Sequence, residues 1–229
     1  MASLIEVEGL TVYKAGQPVL KNISIRMEKA TITGIVGANG VGKTTLLRVI
    51  AGLEDDFEGR VKVEGSVALV PQDDLLLPWK KLWENIALPL LFKGVARGDA
   101  RRKAFDVGRR LGLGEHLDKY PKEASGGTRR KAAIARALIT GADILLLDEP
   151  FTGLDVETVE NLAGIIRELR GEGRTLLVVS HQLWELAAVS DRVIVLRGPP
   201  GRISGDIRFG GGEGIGSRVE RLVKALRMR

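Results

Sequence analysis

The sequence predicts an α/β protein with a mainly parallel central sheet, a small antiparallel β unit at its start and helices inserted into the core. Three observations carry this. Five short segments, Thr31 to Val36, Val67 to Val70, Ile144 to Leu147, Thr175 to Val179 and Val193 to Leu196, are apolar on both faces, as strands buried between helical layers must be. Helical periodicity lies between them, and the strand signal vanishes from Leu75 to Thr140 in favour of charged, helix-like sequence.

The elements follow in order. Ser3 to Glu8, Val19 to Ile25 and Arg60 to Val63 alternate or are β-branched, with Gly16, Gln17 and Pro18 as turn residues, and read as the antiparallel unit. Val156, Val159, Leu162, Ile166 and Leu169 recur every three or four residues before Gly171 and Gly173 and mark a helix. After GGGEGIG the chain reads as a flexible link to one basic amphipathic helix. The expected division is a core of 1–74 and 141–209, a helical subdomain of 75–140 and a tail of 210–229. No internal repeat is evident.

With no cysteine the fold relies on no disulfide or thiolate metal site. MASLIEVEG shows no basic region followed by an apolar run, so no secretion signal is expected, and no stretch reaches the ~18 apolar residues of a membrane span. The net charge of +6 invites a nucleic-acid or lipid reading. The excess, however, lies between Arg97 and Arg110 and from Arg218 to Arg229, mixed with Asp99, Asp106 and Glu220 at helical spacing, which is the pattern of a solvated helix face.

Gly37 to Thr45 reads GANGVGKTT between an apolar strand and a helical run, the context that the G-x-x-x-x-G-K-[ST] phosphate loop demands. Its glycines let backbone N–H groups turn inward around a triphosphate, Lys43 reaches the β- and γ-phosphates, and Thr44 offers its hydroxyl to Mg²⁺. ILLLDEP, 144–150, delivers two carboxylates at a strand end. Asp148 suits the Mg²⁺ shell, and Glu149 suits orienting a water toward the γ-phosphate. Gln72 after VALVP and His181 after TLLVVS follow strands of the same sheet and end at the same edge. Either alone reads more readily as a structural residue; together with the phosphate loop they join the site.

With these motifs in order, the sequence resembles the ATP-binding cassette family over essentially its whole length. GANGVGKTT resembles the Walker A loop, PQD the Q-loop, ASGGTRRK the signature motif, ILLLDEP the Walker B strand, TGLD the D-loop and SHQ the switch histidine. The resemblance implies a P-loop NTPase core that binds ATP and Mg²⁺. It places Tyr13, Gly37, Asn39, Gly40, Gly42, Lys43, Thr44 and Thr45 on the nucleotide, Thr44, Gln72 and Asp148 at the metal, and Glu149, His181 and Gln72 in hydrolysis. It also implies that two cassettes, expected as a homodimer, close head to tail, so that Ser125, Gly126, Gly127 and Asp155 complete the partner's site. Ala124 and Thr128 depart from the commoner LSGGQ. Without a partner, Ser125 would serve only as an ordinary helix N-cap.

The loop QDDLLLPWKKLW holds Leu75, Leu76, Leu77, Pro78 and Trp79 between charges. By pattern it fits equally an exposed docking patch or a loop folded onto its own subdomain. LLPW, with RGPPGRI after the last strand, resembles the import ATPases for nitrate, taurine and alkanesulfonates. That implies a cytoplasmic subunit on the inner face of the membrane, contacting permease subunits through Leu77 and Trp79, and serving indirectly a solute-binding protein. Nucleic acid is not expected. The competing class is a soluble cassette ATPase acting on DNA, ribosomes or cofactor assembly. A nucleotide-binding scaffold without turnover would need a lost catalytic group, and Glu149, Gln72 and His181 are all present.

Overall fold

The computed structural model describes residues 3–227. The first two and last two residues, which the sequence assigns to the β unit and to the tail, lie outside the described residues. The chain opens with a hairpin of β1 (Ser3–Lys14) and β2 (Gln17–Glu28), followed by β3 (Ile32–Val36) and α1 (Lys43–Ile50). Both strands of the hairpin are longer than the sequence suggested. Gly9 does not end β1 but sits in a bulge, with the register shifting between Val7 and Leu10. The turn is the two-residue Ala15–Gly16, with φ of 49° and 76°, and Gln17 is already paired with Lys14. β4 (Phe57–Val63) adds to β1 and completes a three-stranded antiparallel sheet of order β2-β1-β4.

The main sheet continues with β5 (Val67–Val70). Helices α2 (Leu82–Phe92), α3 (Arg97–Arg110) and α4 (Gly126–Leu138) follow and pack on one another. Then come β6 (Ile144–Asp148), α5 (Val156–Gly171), β7 (Thr175–Val179), α6 (Leu183–Val189) and β8 (Arg192–Arg197). The order is β5-β6-β7-β3-β8-β9, with the first five strands parallel. The last, β9 (Arg202–Arg208), is antiparallel to β8 and was not foreseen, because Pro199, Pro200 and Gly201 precede it and Gly205 interrupts it. Gly205 is there for space, since a Cβ would press on Val195 at 3.3 Å.

Each parallel strand divides its side chains between two cores by the period of two. Leu145, Leu147, Leu176, Val178, Val193 and Val195 join the helices α2 to α6 on one face. Ile144, Leu146, Leu177, Val179, Ile194 and Leu196 join α1 and the antiparallel sheet on the other. In α5 the buried stripe is Val159, Leu162, Ile166 and Leu169, while Val156 is exposed. Asp155 caps this helix by accepting from the Thr158 amide at 2.8 Å.

The terminal helix α7 (Ile215–Arg227) is docked rather than free. It packs on α6, β8 and β9, with Leu222 fully buried and Arg197 donating to the Ala225 and Leu226 carbonyls at its end. Among the described residues no helix is long and apolar enough to cross a membrane. Leu222→Ala is expected to lower unfolding free energy by about 2–4 kcal/mol in a urea titration. A loss below about 0.5 kcal/mol, as at an exposed site, would show that α7 is not part of the cooperative fold.

Candidate functional site

The C-terminal ends of β3, β5, β6 and β7 open on one cavity of about 360 Å³, lined by Val19, Asn39, Gly40, Gly42, Lys43, Thr44, Thr45, Gln72, Asp148, Glu149 and His181. Ten of these eleven are residues that the sequence assigned to nucleotide, metal or hydrolysis. Val19 is the addition, brought in because β2 passes behind the loop. Its proximity fixes Gly42, whose φ is 101° and where a Cβ would strike Leu20 at 2.5 Å and approach Val19 at 3.3 Å. Gly37 stands behind the cavity, and its carbonyl accepts from the Lys43 ammonium at 2.9 Å. Tyr13 does not line the cavity. It sits at the end of β1 opposite Pro18 and is partly exposed.

Four charged groups face one another here. Lys43 is buried, donates also to the Ala38 carbonyl at 3.2 Å, and is pulled below the usual lysine value by that burial, with Glu149 and Asp148 opposing. Asp148 accepts from the Thr44 hydroxyl at 2.8 Å through Oδ2, while its buried Oδ1 has no partner. Burial pushes this carboxyl up, the Thr44 bond opposing and Glu149 adding. A buried carboxylate oxygen with nothing to accept from is costly unless a cation meets it, so the donor set of Thr44 and Asp148 fits Mg²⁺.

Glu149 is buried at a φ of 48°, a conformation costing about 1–3 kcal/mol for a residue with a side chain. Its amide donates to the Val179 carbonyl at 2.9 Å, which holds the backbone of the strand end. Its Oε2 lies 2.8 Å from His181 Nδ1 and 3.3 Å from the Thr152 hydroxyl. Against a carboxylate the histidine must present N–H at Nδ1. Behind the pair, Glu185 is buried and bonded to the Ser180 hydroxyl, and burial raises its carboxyl above the usual range.

The signature residues lie elsewhere. Ser125 caps α4, its Oγ accepting from the Thr128 amide at 3.2 Å, and Ser125 and Gly126 are exposed. A Cβ on Gly127 would meet Thr158, the residue capped by Asp155, at 3.1 Å. Ser125, Gly126, Gly127 and Asp155 thus form one neighbourhood, and none of them lines the cavity of its own chain. In the loop after Gln72 both patterns occur side by side: Leu75 and Trp79 are exposed, while Leu76 packs on the core and Leu77 is half-buried. Fully buried Asn85 accepts from the Leu77 amide at 2.7 Å and donates to the carbonyls of Leu77, Lys80 and Lys81. Sequence reading missed Asn85, whose only signal was an amide on the apolar side of α2.

A phosphate loop at the end of a parallel strand, with two carboxylates and a histidine from its neighbours, defines a P-loop nucleotide hydrolase core. The family described as ABC transporter matches residues 20–152. An aliphatic sulfonates import ATP-binding protein of Frankia alni is 37% identical over 84% of this chain and 77% of its own length. A protein of that same description from Paracoccus denitrificans is 36% identical over 84% and 77%. An ATP-binding cassette solved as a dimer in a post-hydrolysis state with ADP and phosphate superposes at a TM-score of 0.84 and 27% identity, covering 90% of this chain and 99% of that one. The chain belongs to the ABC transporter family and has its ATP-binding cassette fold.

Because the folded pKa of Glu185 is raised, protonated Glu185 favours the fold at low pH, and that contribution is lost as pH rises through the folded value. Glu185→Gln cannot ionise, so its urea midpoint relative to wild type should climb as pH rises above about 4, the ordinary carboxyl range of the unfolded chain, and level off once the folded carboxyl has ionised. A difference that is flat in pH would place the buried charge elsewhere.

Proposed function

We propose that the chain is the ATP-hydrolysing subunit of an import system. It would dimerise on two nucleotides, close, hydrolyse and reopen, and so drive a separate membrane permease. The observation carrying the reading is a division of labour within one chain. Lys43, Asp148, Glu149 and His181 converge on the cavity, while exposed Ser125 and Gly126 and half-buried Gly127 stand outside it beside Asp155. Such a chain holds one half of a site and offers the other half to a second copy, the expected homodimer. We assign 1–74 and 141–209 to the nucleotide core, 75–140 to the helical subdomain that carries the signature, and 210–229 to the linked tail.

In this reading Asn39, Gly40, Gly42, Lys43, Thr44 and Thr45 hold the phosphates. Gly37 buttresses the loop, and Tyr13, outside the cavity, is left to the adenine end. Thr44, Gln72 and Asp148 would hold Mg²⁺, which supplies charge neutralisation on the β- and γ-phosphates. His181 fixes the Glu149 carboxylate through Nδ1, and Glu149 orients a water in line with the γ-phosphoryl group. As the water oxygen bonds to phosphorus, the bond to the β-phosphate oxygen breaks, ADP leaves with that electron pair, and the water proton passes to Glu149. The partner's Ser125 hydroxyl and the N–H groups at the start of α4 would face the same γ-phosphate.

The importer assignment rests on the relatives' names and on the loop after Gln72. The solute is read as a small anion of the nitrate, taurine or sulfonate kind, delivered through a solute-binding protein, with the cassette on the inner face of the membrane. The permease contact is read at exposed Trp79 and half-buried Leu77, with exposed Leu75 beside them. The basic excess does not support nucleic-acid binding. Arg97 and Arg101 stack on Trp83, Arg101 and Arg109 on Phe105, and Arg218 and Arg221 on Phe209, while Arg97 also pairs with Glu84 at 2.6 Å.

Glu149→Gln should bind ATP, lose roughly 100-fold or more in turnover and accumulate as a dimer in size-exclusion chromatography with Mg·ATP. Undiminished turnover would remove Glu149 as the base. A tagged wild-type chain recovered from detergent-solubilised native membranes should bring a multispanning permease with it, and Trp79→Ala should not. Ribosomes or nucleic acid with both forms would replace the importer reading.

A further inference from the structure

We propose that Arg130 is a positioning residue for hydrolysis, clamping the end of β5 that leads into Gln72 to the end of β6 that carries Asp148 and Glu149. The inference rests on the hydrolase reading and adds to it a residue outside every motif role assigned above. Arg130 lies in the second turn of α4 and is only 4% exposed. Its Nη2 donates to the Asp148 carbonyl at 2.6 Å and its Nε to the Pro150 carbonyl at 3.2 Å, so it grips the chain on both sides of Glu149. Its Nη1 donates to the Pro71 carbonyl at 2.6 Å and the Gln72 carbonyl at 3.2 Å, and reaches the Asp74 carboxylate at 3.4 Å.

The placement matters because the sheet gives out here. The last register pair of β5 and β6 is Val70 with Leu147, one residue short of Asp148 and two short of Gln72. Beyond it no ladder bond holds the two strand ends together, although Gln72 and Asp148 both line the cavity. The planar guanidinium, with five donors in a fixed fork, continues the connection from the side. It also fastens both ends to α4, whose first turn begins just after Ser125. Glu149, at its positive φ, is otherwise held through its amide to Val179 and its carboxylate to His181 and Thr152. A lysine could not make the same clamp, since its single ammonium cannot span carbonyls from two strands.

Arg136 provides the control. It donates to the Leu75 carbonyl at 2.8 Å and the Asp74 carbonyl at 2.8 Å, so it fastens the same loop to α4 without touching β6. The full-length chain, Arg130→Lys, Arg130→Gln and Arg136→Lys are to be compared by Mg·ATP turnover, equilibrium ATP binding and urea midpoint. Arg130→Lys should keep KM for ATP and ATP affinity within about threefold while kcat falls roughly tenfold or more, and Arg130→Gln should show the same split. Arg136→Lys should stay within about twofold of wild type in kcat. Folded Arg130 variants with wild-type kcat would overturn the proposal. So would a loss of kcat matched by Arg136→Lys, which would trace it to loop order, or failure of both Arg130 variants to fold, which would make the residue a folding clamp alone. A wild-type chain that binds ATP but shows no turnover would sink the hydrolase reading itself, and the positioning role with it.

Discussion

The burial of two adjacent carboxylates, Asp148 and Glu149, at the end of a central strand is the constraint that the rest of the structure answers. Neither can be taken from water without compensation. Thr44 satisfies one oxygen of Asp148, Lys43 and Arg130 supply positive charge nearby, and His181 and Thr152 satisfy Glu149. One oxygen of Asp148 is left without a partner. An oxygen so placed is suited to meeting a cation, which would link binding at this edge to stability. Parallel pairing is what makes the arrangement possible, because it brings the chain exits of β3, β5, β6 and β7 to a single edge.

Much of this was legible in the sequence, and for a physical reason. A strand buried on both faces has to be apolar throughout, so ILLLD and TLLVV announce themselves, and the polar residues at or just past their ends, Asp148 and His181, are delivered to the edge. The phosphate loop is legible because its turns admit little but glycine, as the Leu20 contact at Gly42 illustrates. The half-exposed elements were harder. β9 alternates weakly and carries a glycine, and Gly9 marks a bulge where it reads as a strand end. Asn85 shows only as an amide on the apolar side of α2, and Arg130, though it lies within ASGGTRRK, shows no sign of its partners, carbonyls 18 to 59 residues away in sequence.

The loop from Gln72 to Lys81 gains its definition from side-chain bonds to its backbone, near in sequence from Asn85 and far from Arg136. Asn85 holds its later half and Arg136 its earlier half, and the apolar side chains are sorted accordingly: Leu76 inward, Leu75 and Trp79 outward. Leu75 takes a φ of 47° in doing so, a strained conformation that the surrounding hydrogen bonds impose. The apolar projection is thus tied through hydrogen bonds at both halves of the loop that follows Gln72.

The two departures from the commoner signature can be understood from the same local chemistry. Ala124 is buried against the helical core, where a small side chain fills the space, and its carbonyl accepts from Arg129 at 2.8 Å. Thr128 brings its hydroxyl to 2.9 Å from that of Ser125, while its amide donates to the same oxygen at 3.2 Å. A serine oxygen has two lone pairs and one proton to give. With the Thr128 hydroxyl as donor, both lone pairs of Ser125 are taken, and its own proton is left to point outward from the start of α4. An acceptor with negative charge is what that geometry selects, and the helix N-terminus selects it again. With that direction of the bond, threonine at this position would orient the serine from within the turn, and the departure from the commoner residue leaves a hydroxyl at the start of α4 for an anion to meet.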